Sequence, residues 1–503
     1  MPIRMSGMVS NLDTDAIIKE MMSAQSLKKT AIEQKKTKLD WKKEKWEEMN
    51  TKIYSMYTEK LSSLKLQGSY LTKKATSSNE SKAKATATSA AAGSYSLKID
   101  SLASAEFVTG ADISGKELKE SSKLIDAGMA AGQTISIRTG KDFDKTTEIT
   151  VDEDTTVKDF IQKLKDAGLN ASFDSKNGRF FISAKESGVE NGFSIESNVT
   201  GSDGLEALGL GNIDSELAGK GQVAADKNQM AIVGAKDASI VLNGAVISST
   251  SNTVQANGLT LELIGTTEDA MSITVGNDTD AVYDKVKDFV KSYNELLDEM
   301  TTKYNAASAR KYAMLTDDEK EAMSEDQVKL WEDKIKDSLL RNDDTLNSLI
   351  QTFRSAMQEG TEVDGVKFSL SSFGIVTGNY TENGKLHING DSEDTQYSDK
   401  TNQLRDALEK DPEKVGKALS DIMSKFYNTL TKKMSATSLS SALTLYNDKQ
   451  IKSQTDEYEK QISSWETRLT DMEDRYYKQF STMEKYMADL QSKQSQLSGM
   501  LGM

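Results

Sequence analysis

"YEKQISSWETRLTDMEDRYYKQFSTMEKYMADL" runs from Tyr458 to Leu490, and its spacing sets the architecture. Tyr458, Ile462, Trp465, Leu469, Met472, Tyr476, Gln479, Met483, Tyr486 and Leu490 alternate steps of four and three without a slip. Such a repeat places one seam, with Gln479 as its polar member, along a helix and reads as coiled coil. A lone helix cannot bury that seam, so the sequence must supply a second one. The opposite end of the chain does so. Residues 16–66 lack Pro and Gly, and Trp46, Met49, Ile53, Tyr57, Leu61 and Leu64 recur at helical spacing. At 1.5 Å per residue both helices would be about 75 Å long. Matched lengths at opposite ends predict that they pack together or with copies from other chains.

The texture between them changes. From about Ser77 to Gly276, Ser, Thr, Ala and Gly rise and short alternating runs appear: "YSLKI" (Tyr95, Leu97, Ile99), "TISI" (Ile135, Ile137) and "LTLEL" (Leu259, Leu261, Leu263). Asn-Gly turn signals stand at Asn177-Gly178, Asn191-Gly192, Asn243-Gly244 and Asn257-Gly258. One helix interrupts this β-rich middle, with Val157, Phe160, Ile161 and Leu164 on a face, a Thr156–Asp159 capping box and Gly168 as its stop. Helical texture returns after Asp280, where Val282, Val286, Phe289, Val290, Tyr293, Leu296 and Leu297 make a stripe wide enough for a bundle core. Further helix is expected over Asp326–Met357, then a hairpin turning at Asn383-Gly384, then a helix with Asp411 as N-cap and Pro412 at its first position. The expected fold is α+β multidomain: long terminal helices and a helical bundle leg, with β-rich domains inserted between them.

Composition narrows the chemistry. With 503 residues the chain suggests about three or four domains. It carries 63 basic against 78 acidic residues, a formal −15, which gives nucleic acid no general electrostatic attraction. Residues 1–60 reverse the balance, with 12 Lys or Arg against 9 Asp or Glu, in the alternating signs of solvated helix faces. No cysteine is present, so disulfides, thiolate metal sites and cysteine nucleophiles are excluded. The single histidine, His387, is read as an ordinary exposed side chain and excludes multi-histidine zinc sites. Two prolines stand where average usage would give roughly 25. That removes slow isomerisation steps and suits a protein that travels unfolded, although long helices also exclude proline. There is no apolar h-region in the first 30 residues and no apolar run near 18.

"DTDA" occurs twice, at Asp13–Ala16 and Asp278–Ala281. A calcium loop needs an oxygen ligand at the fifth position and glycine at the sixth; the fifth positions are Ile17 and Val282. Both copies instead place Asp and Thr before an apolar-periodic helix, where a short acceptor satisfies the first-turn amides. "GLGLGN" lacks the third glycine of a dinucleotide loop, "AGKG" lacks most of a phosphate loop, and there is no G-x-S-x-G. No catalytic constellation, metal site or cofactor site is expected, and the protein is read as a non-enzyme.

Several segments resemble one family. "GMVSNLDTDAIIKEMMSAQSLKKTAIEQKKTKLDWKKEKWEEMNTKI" and "KKATSSNESKAKATATSAAAGSYSLKIDSLASA" are similar to the N-terminal region of the bacterial flagellar filament cap family, flagellar hook-associated protein 2 or FliD. "DASIVLNGAVISSTSNTVQANGLTLELIGTT", "NDTDAVYDKVKDFVKSYNELL" and the tail resemble its C-terminal region. Together these cover roughly half the chain, in the family's order. The resemblance implies terminal helical segments (residues 1–45 and 446–503) and a leg domain with a small hairpin (46–76 and 277–445). It also implies an inner β-rich domain (77–110 and 231–276) and an outer inserted β-rich domain (111–230).

It further implies a homo-oligomer, most often a pentamer, at the extracellular tip of the flagellum, exported without a cleaved signal peptide. The partners would be flagellin, hook–filament junction proteins and a cytoplasmic export chaperone, with no nucleic acid and no membrane insertion. Leu12, Ile17, Ile18, Met21, Met22 and Leu27 are expected at the filament or junction interface, with the seam from Tyr458 to Leu490 docked on them. The terminal helices are expected to be largely disordered before assembly, because their stripes would lack the filament. The alternatives are a secreted adhesin binding host glycan or mucin through the β-rich middle, and a carboxylate enzyme. Flagellin and the junction proteins share paired terminal helices, but "SNTV" and "MEDRYYKQF" argue against both.

Overall fold

The computed structural model describes residues 13–88, 91–213, 224 and 226–500. The chain divides into two compact units, one formed by Met1–Leu71 with Thr279–Met503 and the other by Thr72–Asp278. The second therefore interrupts the first in sequence, as an insertion does.

The first unit is mainly helical. Helix α1 (Thr14–Ser55) continues through a π-helical stretch, Met56–Leu61, into a short α2 (Ser62–Leu64). After the insertion come α4 (Thr279–Tyr304), α5 (Asp317–Glu321), α6 (Glu325–Asp337), α7 (Asp344–Gln358), α8 (Gln403–Lys410), α9 (Pro412–Lys433) and α10 (Asp448–Met500); α3 lies in the other unit. The expected stripes form its core. Trp46, Met49, Ile53, Leu61 and Leu64 pack with Val286, Phe289, Tyr293 and Leu297 of α4, Phe353 of α7 and Phe426 of α9. Phe353 meets Phe426 edge-on at 5.1 Å and Tyr293 in a stack at 5.9 Å.

The π-helical stretch has a cause in the sequence. In a regular helix Leu61 would sit about 80° round from Ile53, while Lys60 would point at the core. The wider π turn brings Leu61 to full burial and leaves Lys60 to pair with Asp288. Two further departures from expectation are local. The helix over Asp326–Met357 is broken between Asp337 and Asp344, because Asn342 is left-handed (φ 53°) and Asp343 caps α7 through the amides of Thr345 and Leu346. Before the expected hairpin, β18 (Ile375–Thr377) with β19 (Leu386–Ile388), stands another, β16 (Thr361–Val363) with β17 (Val366–Phe368). It turns on Asp364-Gly365, both at positive φ, a readable Asp-Gly signal.

The β-rich unit has fifteen strands in four sheets among the described residues. A five-stranded sheet runs β1 (Lys73–Ser77), β15 (Met271–Asn277), β3 (Gly93–Ser101), β11 (Ala238–Leu242), β12 (Ala245–Ser249). It shares a core of Leu97, Ile99, Ile240, Leu261 and Ile273 with the sheet of β13 (Thr253–Ala256), β14 (Leu259–Leu263) and β2 (Ala83–Ala87). The β11–β12 and β13–β14 hairpins turn on Asn243-Gly244 and Asn257-Gly258, with positive φ at all four residues. That conformation matches strand twist and is why Asn-Gly stands there.

A nested core follows. The chain enters it past Ser104 and leaves it before Lys236, and these two residues exchange backbone hydrogen bonds. One nested sheet runs β10 (Ala231–Val233), β4 (Phe107–Thr109), β8 (Arg179–Ala184), β7 (Leu169–Asp174); the other runs β6 (Lys145–Thr150), β5 (Thr134–Thr139), β9 (Ser194–Ser197). Helix α3 (Val157–Asp166) buries Val157, Phe160, Ile161 and Leu164 here, opened by the Thr156–Asp159 capping box. Gly168 follows at φ 95°, where a residue with Cβ would be strained.

Candidate partner-binding surface

Helix α1 opens on Asp13, whose Oδ1 accepts the Ala16 amide at 2.9 Å. The second "DTDA" opens α4 at Thr279, and Asp280 pairs with Arg405. Both copies are helix starts. Among the described residues no group of three or more His, Asp or Glu side chains could hold a metal ion.

From Thr14 the helix runs 42 residues to Ser55, and α10 runs 53, about 63 and 80 Å. The two pair antiparallel. Lys29 Nζ lies 3.1 Å from Glu466 and Lys36 Nζ 3.4 Å from Glu459, so seven residues along one helix match seven back along the other. The hydrogen bond to Glu466 is the foremost cause holding the Lys29 ammonium above its usual range, against partial desolvation. Lys28 Nζ sits 5.5 Å from the Trp465 ring centroid. At the root of the pair, Asn50 accepts the Leu445 amide at 2.9 Å and donates to Leu443 O at 3.2 Å.

The expected interface residues divide. Ile18 is buried and Met22 half-buried, whereas Ile17, Met21 and Leu27 are exposed, Leu27 to 64%. Leu12 lies outside the described residues. One face of α1 thus meets α10 and another carries apolar side chains into solvent. The buried face of α1 has a partner within its own chain.

The tail seam follows the heptad and then departs from it. Tyr458, Ile462, Trp465, Leu469, Met472, Tyr476 and Met483 are half-buried. Further along, Phe480, Glu484 and Met487 are covered, while Gln479, Tyr486 and Leu490 are exposed. An α-helix of 3.6 residues per turn drifts about 20° per heptad from a 3.5 repeat, so about 80° over four heptads, close to one residue. The covered row therefore steps by one position and leaves Tyr486 and Leu490, each 66% exposed, on the outside.

His387 corrects the sequence reading. Its side chain is 13% exposed; Nδ1 lies 2.5 Å from Asp394 and Nε2 3.5 Å from Glu382. The ring stacks on Tyr397 at 4.3 Å, and burial, with Glu382 and Asp394 nearby, raises the Tyr397 hydroxyl pKa. All three partners lie within ten residues of His387, but only the β18–β19 hairpin and the loop after it fold them around the ring. Among the described residues no helix is long and apolar enough to cross a membrane.

A long antiparallel helix pair that leaves apolar side chains exposed, joined to a helical core and interrupted in sequence by a β-rich insertion, defines a multidomain α+β protein. The comparisons with known proteins give that class a family. The family model for the flagellar hook-associated protein 2 C-terminus matches residues 235–492, and that for its N-terminus matches residues 10–106. The chain belongs to the flagellar hook-associated protein 2 family. Flagellar hook-associated protein 2 of Halalkalibacterium halodurans is 26% identical over 442 residues, spanning 83% of this chain and 79% of that relative. The Thermotoga maritima protein of the same description is 30% identical over 275 residues, 53% of this chain and 39% of its own length. The fold resembles a crystal structure of the Escherichia coli flagellar cap protein FliD D1-D2-D3 domains, with TM-score 0.50 and 20% identity, over 77% of this chain and 97% of that one.

Proposed function

We propose that this protein caps the distal end of the bacterial flagellar filament, retains exported flagellin and promotes its folding and polymerisation. The observation that carries this reading is the pair of family models, matched in order on either side of the nested β-rich core. That assignment favours the cap over an adhesin. The role is mechanical. A plate of β-rich domains keeps flagellin from escaping, while helical legs reach the filament end.

In this reading the cap is a homo-oligomer, a pentamer, that binds flagellin at the tip and meets the hook–filament junction proteins. The chain leaves the cell without a cleaved signal peptide, held until then by an export chaperone. Residues 1–45 with 446–503 form the terminal segment, and 46–76 with 277–445 the leg. The inner β-rich domain is 77–110 with 231–276, and the outer is 111–230. Ile17, Met21 and Leu27 are the exposed side chains of α1 offered to the filament, supported by the solvent-facing row described above. Ile18 and Met22 hold α1 to the seam.

The test is a strain lacking this protein, scored for motility, filament length and flagellin in the medium. Short or missing filaments with monomeric flagellin in the medium are expected, restored by the full chain and not by one truncated after Leu445. Filaments of normal length would overturn the cap.

A further inference from the structure

The nested sheet β10–β4–β8–β7 is covered on one face by α3 and carries an uncovered row on the other. The covered face holds Val108, Phe173, Phe180, Ile182 and Ile232. Alternation turns their neighbours outward, so Phe107, Phe181 and Val233 are 51%, 42% and 58% exposed. The register makes them one patch: Phe107 pairs with Val233 on one side and Ser183 on the other, and Phe181 lies one diagonal step away, opposite Thr109.

Phe107 and Phe181 line a groove with Lys165, from the last turn of α3, and Lys185, just past β8. Both lysines are exposed, and among the described residues neither has an ion pair. A contiguous apolar patch rimmed by polar residues is the mark of a docking surface. Here the rim is basic on a chain of net charge −15.

The same nested domain offers the complement. At the other end of α3, beside its Thr156 cap, Lys123 lies 2.7 Å from Asp154, and the Asp126 and Glu153 carboxylates add to the raised pKa of that ammonium. One lysine among three carboxylates leaves that end acidic. The ten-residue helix separates the two ends by about 15 Å. The basic-rimmed apolar face of one copy is complementary in charge to the acidic end of another. They can meet head to tail, the contact that closes rings.

We infer that the outer face of this sheet, Phe107 and Phe181 with Lys165 and Lys185, docks a second copy of this chain through its Asp126–Glu153–Asp154 end. The inference rests on the homo-oligomer in the proposed function and assigns it a contact. The charge pairing sets orientation and the aromatic pair supplies the buried area.

The full chain, the K165E/K185E chain, the E153K/D154K chain and the chain with all four changes are compared by sedimentation velocity across a dilution series. Each charge-reversed pair should raise the concentration for half-assembly about tenfold or more, and the four-fold variant should recover most of that shift. F107S/F181S should weaken assembly without recovery. Assembly of all variants like the unaltered chain would overturn this contact and leave the homo-oligomer standing. Weakened pairs with no recovery in the four-fold variant would overturn the head-to-tail pairing. An unaltered chain that stays monomeric throughout would remove the homo-oligomer and this contact with it.

Discussion

The rings of Trp46 and Tyr446 stack with centroids 5.7 Å apart and planes 10° from parallel, pinning the two ends of the chain together where the helix pair meets the leg core. Each is nearly buried and belongs to the core of the first unit. The stack is therefore the point where the leg's stability and the orientation of the helix pair are coupled.

Trp46→Ala should cost about 3–5 kcal/mol, the usual range for emptying a buried aromatic site. Urea denaturation followed by helical circular dichroism reads it, as an earlier midpoint of the helical transition. A change below about 1 kcal/mol would mean the stack does not hold the root of the pair.

The π-helical stretch gives a second test. Deleting Thr58 should allow a regular helix in which Leu61 stands seven residues and about 20° from Ile53. Leu61 would still face the core with Lys60 outside it, so the cost should stay within about 1 kcal/mol. Leu61→Ala should cost about 2–5 kcal/mol by cavity formation alone. A deletion variant that melts far below the parent would show that the extra residue does more than set the phase of Leu61.

The antiparallel register is open to direct chemistry. Zero-length carbodiimide coupling joins an ammonium to a carboxylate it already touches. It should yield Lys29–Glu466 and Lys36–Glu459 peptides within one chain by mass spectrometry. Recovery of these links only between isotopically distinct chains would mean the helices pair across protomers. Charge reversal at Lys29 should cost less than about 1 kcal/mol, because the pair is exposed and screened.

Asp448 makes the start of α10 acid-sensitive. Burial pushes its carboxyl pKa up, but hydrogen bonds from Ser441, at 2.7 Å from the amide and 2.6 Å from the hydroxyl, and from Thr444 outweigh that and hold it below the usual range. A lowered folded pKa stabilises the fold fully above the ordinary Asp value of about 3.9 and is lost as pH falls through the folded value. Amide exchange at Ser441 should accelerate below about pH 4, and Asp448→Asn should abolish most of that dependence.

His387→Gln should loosen the loop from Asp391 to Lys400 that folds over the imidazole, at a cost of about 1–3 kcal/mol. Hydrogen exchange at Gly390, whose amide donates to Tyr397 O at 2.8 Å, reports it. Unchanged protection there would reduce the ring to a passive spacer.

Local physics was legible in the sequence. Periodicity named the α1, α3 and α4 faces, and each named residue on them is buried, because a helix presents every third or fourth residue whatever surrounds it. Asn-Gly at 243 and 257 fixed two hairpins for the same reason, since backbone twist there depends on two residues. The heptad announced a seam, but not where it would leave its partner. That step near Gln479 depends on whether the helix supercoils, which is a property of the pair. The surroundings of His387, the docking row of Phe107 and Phe181, and the match of Lys29 to Glu466 were likewise decided in three dimensions. Each joins groups whose energies depend on distance and burial, and only the tertiary fold sets those.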